Sequence, residues 1–285
     1  MPGIRALSWR NALVAVLALA GVAFVAASGP SPKPAQNAWE VLEPGLELGV
    51  FPSPRPATAG DAKVRALRID PARFRLQLLN ASAPGQGKPL TARDWCLRNN
   101  LVAAINASMY QQNLRTSVSL MRTRSHVNNP SLTGDKAVLA FDAKSSGIPP
   151  VKIIDRGCED FAAWKDRYAT LVQSIRMISC DRKNVWSRQP VQWSIAAIGL
   201  DRRGRVLFLH SRSPYSPHDL IDILLALPLD LAGAMYVEGG PEAQLFVRSG
   251  KRQTELVGSY ETGFFESDTN DHAWPVPNVI GVMRK

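Results

Sequence analysis

Ser194-Ile195-Ala196-Ala197-Ile198-Gly199-Leu200-Asp201-Arg202-Arg203-Gly204-Arg205-Val206-Leu207-Phe208-Leu209-His210 reads as two apolar strands joined by a charged turn that contains glycine. Residues 194–200 and 205–210 are therefore expected to form an antiparallel hairpin. A helix should follow: Ser216 can cap it, Pro217 suits its first turn, Asp219 complements its dipole, and Leu220, Ile223, Leu224 and Leu227 give it an apolar face. Leu227-Pro228 stops the helix, and the chain returns to a sheet at residues 234–237. Upstream, residues 46–51, 63–69 and 74–79 read as strands, the last with Phe74, Leu76 and Leu78 alternating with Arg75 and Gln77. Thr91 with Asp94 marks the start of a helix over 92–98. Residues 101–105 are an unbroken apolar strand, expected to be buried on both faces, that delivers Asn106 at its end. Further strands are expected at 118–121, 137–141 and 170–174, whereas the helical spacing of Phe161, Trp164 and Tyr168 predicts one packed helix face. Neither a repeat nor a second long linker interrupts the pattern. The expectation is one α+β domain with a mixed, mostly antiparallel sheet core flanked by a few helices.

The chain of 285 residues is long enough for such a core, with 45% hydrophobic residues. Its first residues differ in character. Arg5 and Arg10 precede an uncharged run over 11–28, the arrangement of an export signal, and Ala26, Ala27 and Ser28 offer a peptidase site. The run is also nearly long enough to cross a bilayer, so residues 1–28 read as a signal peptide or an N-terminal membrane anchor. Residues 29–38 form a Pro-rich linker, and the folded domain occupies 39–285. This places the domain in the periplasm or outside the cell, either released or tethered to the inner membrane. The net charge of +10 is spread along the chain with no long basic cluster, which disfavours nucleic acid and favours an anionic envelope or substrate. Three cysteines cannot all pair internally. Cys158 and Cys180 are either a disulfide or two buried thiols, and Cys96 behaves as a small buried hydrophobe.

Within the returning strand, Met235-Tyr236-Val237-Glu238-Gly239-Gly240-Pro241-Glu242 runs from apolar residues into a carboxylate and two glycines. A side chain at a strand end, beside backbone free of Cβ atoms, can meet a ligand, although the same letters also describe an ordinary turn. The sequence has no Gly-x-Ser-x-Gly elbow, phosphate-binding P-loop, His-Glu-x-x-His or zinc-spaced Cys pair. What remains is a set of carboxylates and amides at strand ends and in loops, Asn106, Glu238, Glu242 and Glu261 among them.

In chain order, Ala104-Ile105-Asn106-Ala107-Ser108-Met109-Tyr110, Val172-Gln173-Ser174-Ile175-Arg176, Ala197-Ile198-Gly199-Leu200-Asp201, the capped helix, Val237-Glu238-Gly239-Gly240 and Val279-Ile280-Gly281-Val282 succeed one another. This series resembles the phosphodiester glycosidase family, in an uncovering-enzyme-like, exported bacterial branch. The resemblance covers residues 101–285. Two positions depart from the family pattern: Ser108 stands where Gly is usual, and Glu238 replaces a shorter Asp with no small hydroxyl residue soon after. The resemblance implies an exported hydrolase that cleaves a sugar-1-phosphodiester, with a phosphorylated glycan or polysaccharide of the envelope as substrate. It implies Glu238 as base or electrostatic partner of the anomeric carbon, and Asn106 as the group that orients the substrate. Arg176, and more weakly Arg122, would pair with phosphate, while Gly239, Gly240, Glu242 and Glu261 complete the binding site. The pattern calls for no cofactor; Asn and Glu oxygens would suit Ca²⁺ or Mg²⁺, but no loop has EF-hand spacing. The competing expectation is a non-catalytic envelope protein that binds an anionic polysaccharide.

Overall fold

The computed structural model describes residues 38–285. The signal or anchor over 1–28 and the linker, except its last residue, lie outside the described residues. Among the described residues no helix is long and apolar enough to cross a membrane.

The elements run in chain order as β1 (Trp39–Glu43), β2 (Leu46–Pro52), β3 (Lys63–Ile69), β4 (Phe74–Asn80), α1 (Ala92–Arg98), β5 (Ala103–Asn106), β6 (Met121–Arg122), β7 (Val127–Asn129), β8 (Ala137–Ala143) and β9 (Val151–Asp155). There follow α2 (Phe161–Lys165), β10 (Tyr168–Ser174), β11 (Arg176–Ile178), β12 (Trp193–Asp201), β13 (Val206–Tyr215), α3 (Pro217–Ala226) and β14 (Leu231–Gly239). A single 3₁₀ turn, Gly240–Glu242, leads into β15 (Gln244–Ser249), β16 (Arg252–Val257) and β17 (Asn278–Arg284). They build three sheets: β1-β2-β3-β13-β12-β14-β11, β7-β6-β10-β8-β9 and β16-β15-β5-β17-β4. The pairings between neighbouring strands are antiparallel, so the expected mixed sheet is corrected: where α3 carries the chain from β13 to β14, β12 lies between those two strands and pairs antiparallel with both.

The hairpin of β12 and β13 is in register from Leu200 with Val206 back to Ile195 with Ser211. The helix after it is α3, and Ser216 Oγ accepts the Asp219 N–H at 3.1 Å as its cap. α1 is capped in the same way by Thr91. Tyr168 is not on a helix with Phe161 and Trp164. α2 ends at Lys165, and Tyr168 opens a strand that is buried throughout, as its β-favouring Tyr-Ala-Thr-Leu-Val run dictates.

Inner faces of all three sheets meet in one core containing Leu67, Leu78, Ile105, Phe141, Val172, Phe208, Val237 and Ile280. Each such side chain contributes about 1.5–3 kcal/mol when fully buried. Outside this core, α3 covers the seven-stranded sheet with Leu220, Ile221, Ile223 and Leu224. α1 covers the third sheet with Trp95 and Cys96. β14 thus has Met235 and Val237 in the inner core and Tyr236 on the outer side. That alternation decides where Glu238 goes.

Candidate active site

Glu238 is the penultimate residue of β14. The pairing with β12 slips here: Ala197 faces Tyr236 and Ala196 faces Glu238, so Val237 is the additional residue of a β-bulge. Bulges kink a strand and re-aim the side chains beside them. Glu238 opens with Tyr236 into a cavity of about 350 Å³ whose walls also include Met109, Tyr110, Trp193, Glu242 and Glu261.

Three elements bring the carboxylates together. Glu242 ends the 3₁₀ turn, and that turn is fastened by Asn106: its Nδ2 donates to the Glu242 carbonyl at 2.9 Å, and its Oδ1 accepts the Gln244 N–H at 2.8 Å. Asn106 is buried, at 1% exposure. Its amide is therefore committed to backbone rather than substrate, which corrects the orienting role expected of it; it is a positioning residue. Glu261 stands on a β-bridge opposite Trp193, on a loop held to β12 by Ser194 N–H bonding to Tyr260 O at 2.9 Å and Ser259 N–H bonding to Ser194 Oγ at 2.9 Å. The glycines permit this closeness. A Cβ on Gly240, which has φ +62°, would lie 2.2 Å from Glu261 Oε2, and one on Gly239 would lie 2.3 Å from both Trp193 and the Tyr236 hydroxyl.

Among the described residues no lysine or arginine lines this cavity. Its electrostatics follow. Burial pushes the Glu238 carboxyl up to about 8; the Gly239 N–H, which donates to Oε1 at 3.1 Å, opposes this, and the charges of Glu242 and Glu261 add to it. Burial, reinforced by Glu261, also raises Glu242, and burial alone raises Glu261. The phenols of Tyr110 and Tyr236 are held above their ordinary range by burial and by the neighbouring carboxylates. Trp193 adds a buried indole N–H beside the Tyr236 hydroxyl. Around neutral pH the cavity therefore presents protonated Glu238, two phenols and an indole as neutral donors, beside carboxylates that share the remaining charge.

The two arginines expected to meet phosphate are elsewhere. Arg176, on β11, directs Nη1 at both oxygens of Asp155, 2.7 and 2.9 Å away. The same Asp155 also accepts N–H groups from Gly157 and Cys180. Cys158 and Cys180 are joined by a disulfide next to this pair. Arg122 donates to the Lys165 carbonyl at 3.0 Å and lines a separate groove with Leu120, Leu132 and Phe161. Both phosphate assignments are thus corrected: one guanidinium is spent on a buried carboxylate, the other on a carbonyl. Among the described residues the only His/Cys/Asp/Glu cluster close enough to suggest a metal is Asp155 with the two disulfide cysteines, whose sulfurs are already bonded to each other. Tyr110 and Tyr236 were within the recognised segments without an assigned role, and Trp193 carried no signal. For Tyr236 the signal existed, since residues two apart on a strand share a face.

The described residues thus form an antiparallel three-sheet domain with a carboxylate pocket at a bulged strand end. Residues 99–283 match the family model described as phosphodiester glycosidase. The chain belongs to the phosphodiester glycosidase family. In fold it is similar to the catalytic domain of zebrafish N-acetylglucosamine-1-phosphodiester alpha-N-acetylglucosaminidase, a structure described as auto-inhibited by its pro-peptide. That likeness has a TM-score of 0.59 and 11% identity and covers 85% of each chain. A hypothetical protein from Synechocystis shares the fold at a TM-score of 0.53 and 13% identity, over 85% of this chain and 62% of that one. No curated protein sequence matches the chain.

Proposed function

We propose that this protein hydrolyses a sugar-1-phosphodiester, with Glu238 as the acid. The observation that carries the reading is a half-buried carboxyl, set at a bulged strand end, in a pocket that no cation lines among the described residues. A phosphodiester is an anion, and ionised carboxylates with no cation beside them would repel it. A carboxyl held up to about 8 is still a donor at neutral pH and can bond a phosphate oxygen without that repulsion. Family membership and the named activity of the zebrafish protein support the substrate class.

In the step we infer, the bond between the anomeric carbon and the phosphate oxygen breaks and the Glu238 proton passes to the departing phosphate. Water adds to the anomeric carbon, and an ionised carboxylate of the triad takes its proton. Glu261 suits that task, because burial is the one influence that raises it and its charge raises the other two. Tyr110, Tyr236 and Trp193 provide donors and an aromatic wall for the sugar. The chemistry expected of Glu238 is thereby changed from base to acid. We further place the enzyme outside the cytoplasm, acting on an envelope or extracellular glycan. That placement is supported by the basic and apolar run over 1–28 and the net charge of +10.

The test is release of free sugar from an aryl or methyl hexose-1-phosphodiester. Glu238→Gln should lower kcat by about 10²–10³-fold, within the range for removal of a general acid, with unchanged circular dichroism. Undiminished turnover in that variant removes Glu238 from the mechanism. A wild-type protein that binds the glycan and turns over no phosphodiester would support the non-catalytic binding role instead.

A further inference from the structure

A larger cavity lies away from the carboxylates. A groove of about 630 Å³ follows β4, which is the outermost strand of its sheet, and its other walls are the tip of the β6–β7 hairpin, Asp142 and Thr170. Its chemistry is the inverse of the catalytic pocket. Arg75 and Arg124 both line it, and neither has an ion-pair partner among the described residues. Gln77 and Gln86 add half-buried amide side chains to its wall. Asp142 is engaged by the Thr170 hydroxyl.

Polar contacts extend from the groove wall toward the carboxylate pocket. His126 Nε2, in the groove wall, lies 2.8 Å from Ser82 Oγ, and Asn128 Nδ2 donates to that same oxygen at 2.7 Å. Asn128 Oδ1 in turn accepts the Ser117 N–H at 2.7 Å, and Ser117 stands on a β-bridge opposite Tyr110 of the carboxylate pocket. Backbone bonds from Val118 to Met109 and from Gln111 to Thr116 make that bridge.

We propose that this groove is a second binding site, which holds the anionic glycan chain whose phosphodiester is presented to the Glu238 pocket. The identity of the occupant rests on the function proposed above. Guanidiniums without an ion-pair partner recognise bridging phosphates through their planar forks. A peptide adding as a strand to the edge of β4 is disfavoured, because a charged side chain such as Arg75 on an edge strand blunts such pairing.

The experiment uses a fluorescent tetrasaccharide of hexoses joined by 1-phosphodiester bridges. A neutral tetrasaccharide of the same sugars and an acidic peptide of equal charge serve as comparators. Binding is measured on Glu238→Gln protein, so that the ligand is not consumed. Adding Arg75→Gln and Arg124→Gln should weaken the charged tetrasaccharide at least tenfold and the neutral one less than twofold, and added salt should erase the difference. Thermal unfolding of each variant confirms the fold. Unchanged affinity, no binding before the arginines are altered, or preferential and competing binding of the peptide would each overturn the groove. Turnover by the wild-type protein is a separate readout: its absence, alongside arginine-dependent binding, overturns the hydrolytic reading and keeps the groove.

Discussion

Glu238 and Arg176 stand on adjacent strands of one sheet, β14 and β11, while Asp155, the carboxylate that Arg176 meets, is on β9 of another; the two carboxylates meet opposite fates. Asp155 is 6% exposed, yet a guanidinium and two N–H groups surround it, so its charge is matched inside the fold. Glu238 has one N–H and no cation, and the other charges at its pocket have its own sign. Burial near a matching partner makes a carboxylate structural; burial without one leaves a proton in place for chemistry. The contrast also explains why an arginine that reads as a phosphate ligand is not one.

The largest effect on stability should come from Asp155→Asn. It leaves Arg176 unpaired beside the disulfide and should lower unfolding free energy by about 2–3 kcal/mol, measured by urea titration, with kcat within twofold of the parent. A large fall in kcat at intact stability would end the distinction between the two regions. Gly240→Ala comes next. It forces a Cβ into Glu261 at a left-handed backbone position, so it should cost about 1–3 kcal/mol and reduce kcat. Parental activity in a well-folded Gly240→Ala protein would show that the carboxylates need not sit so close.

The smallest effect is the pH dependence of Glu238. In the fold it keeps its proton above its ordinary value of 4.5, where the unfolded chain has lost it. Stability should therefore decline as pH rises from 4.5 and level off above about 8. Glu238→Gln should flatten that slope and leave the variant more stable at pH 9, on the order of 1 kcal/mol once contact with the water-filled pocket is allowed for. Catalysis that needs the Glu238 proton should fall away as pH rises through about 8. An equal slope in parent and variant would mean that Glu238 is not the group that titrates.

The elements dictated by local chemistry were legible in the sequence: the β12–β13 hairpin through its turn, α1 and α3 through their caps, β5 through its unbroken apolar run. Glu238 was legible as well, because a strand that ends in a carboxylate and two glycines has few structural uses. What stayed hidden depends on contacts distant in sequence. Arg176 meets a carboxylate on β9, in a different sheet; Asn106 meets a turn that forms after more than half the chain has passed. Trp193 becomes a pocket wall only because the late loop bridges to it. The acid role proposed for Glu238, in place of base or electrostatic partner, was hidden for another reason: a pKa belongs to the assembled surroundings, and no spacing of residues reports its neighbours in the fold.

The absence of a lining cation among the described residues bears on how a catalytic cycle would end. A diester enters with one negative charge, but the monoester that leaves can carry two. Nothing in the cavity can neutralise the second. The pocket would thus hold its product more weakly than its substrate, and inorganic phosphate or sugar-free phosphomonoesters should be poor inhibitors. The acidic walls around Glu238 would serve as an exit device as well as a proton source.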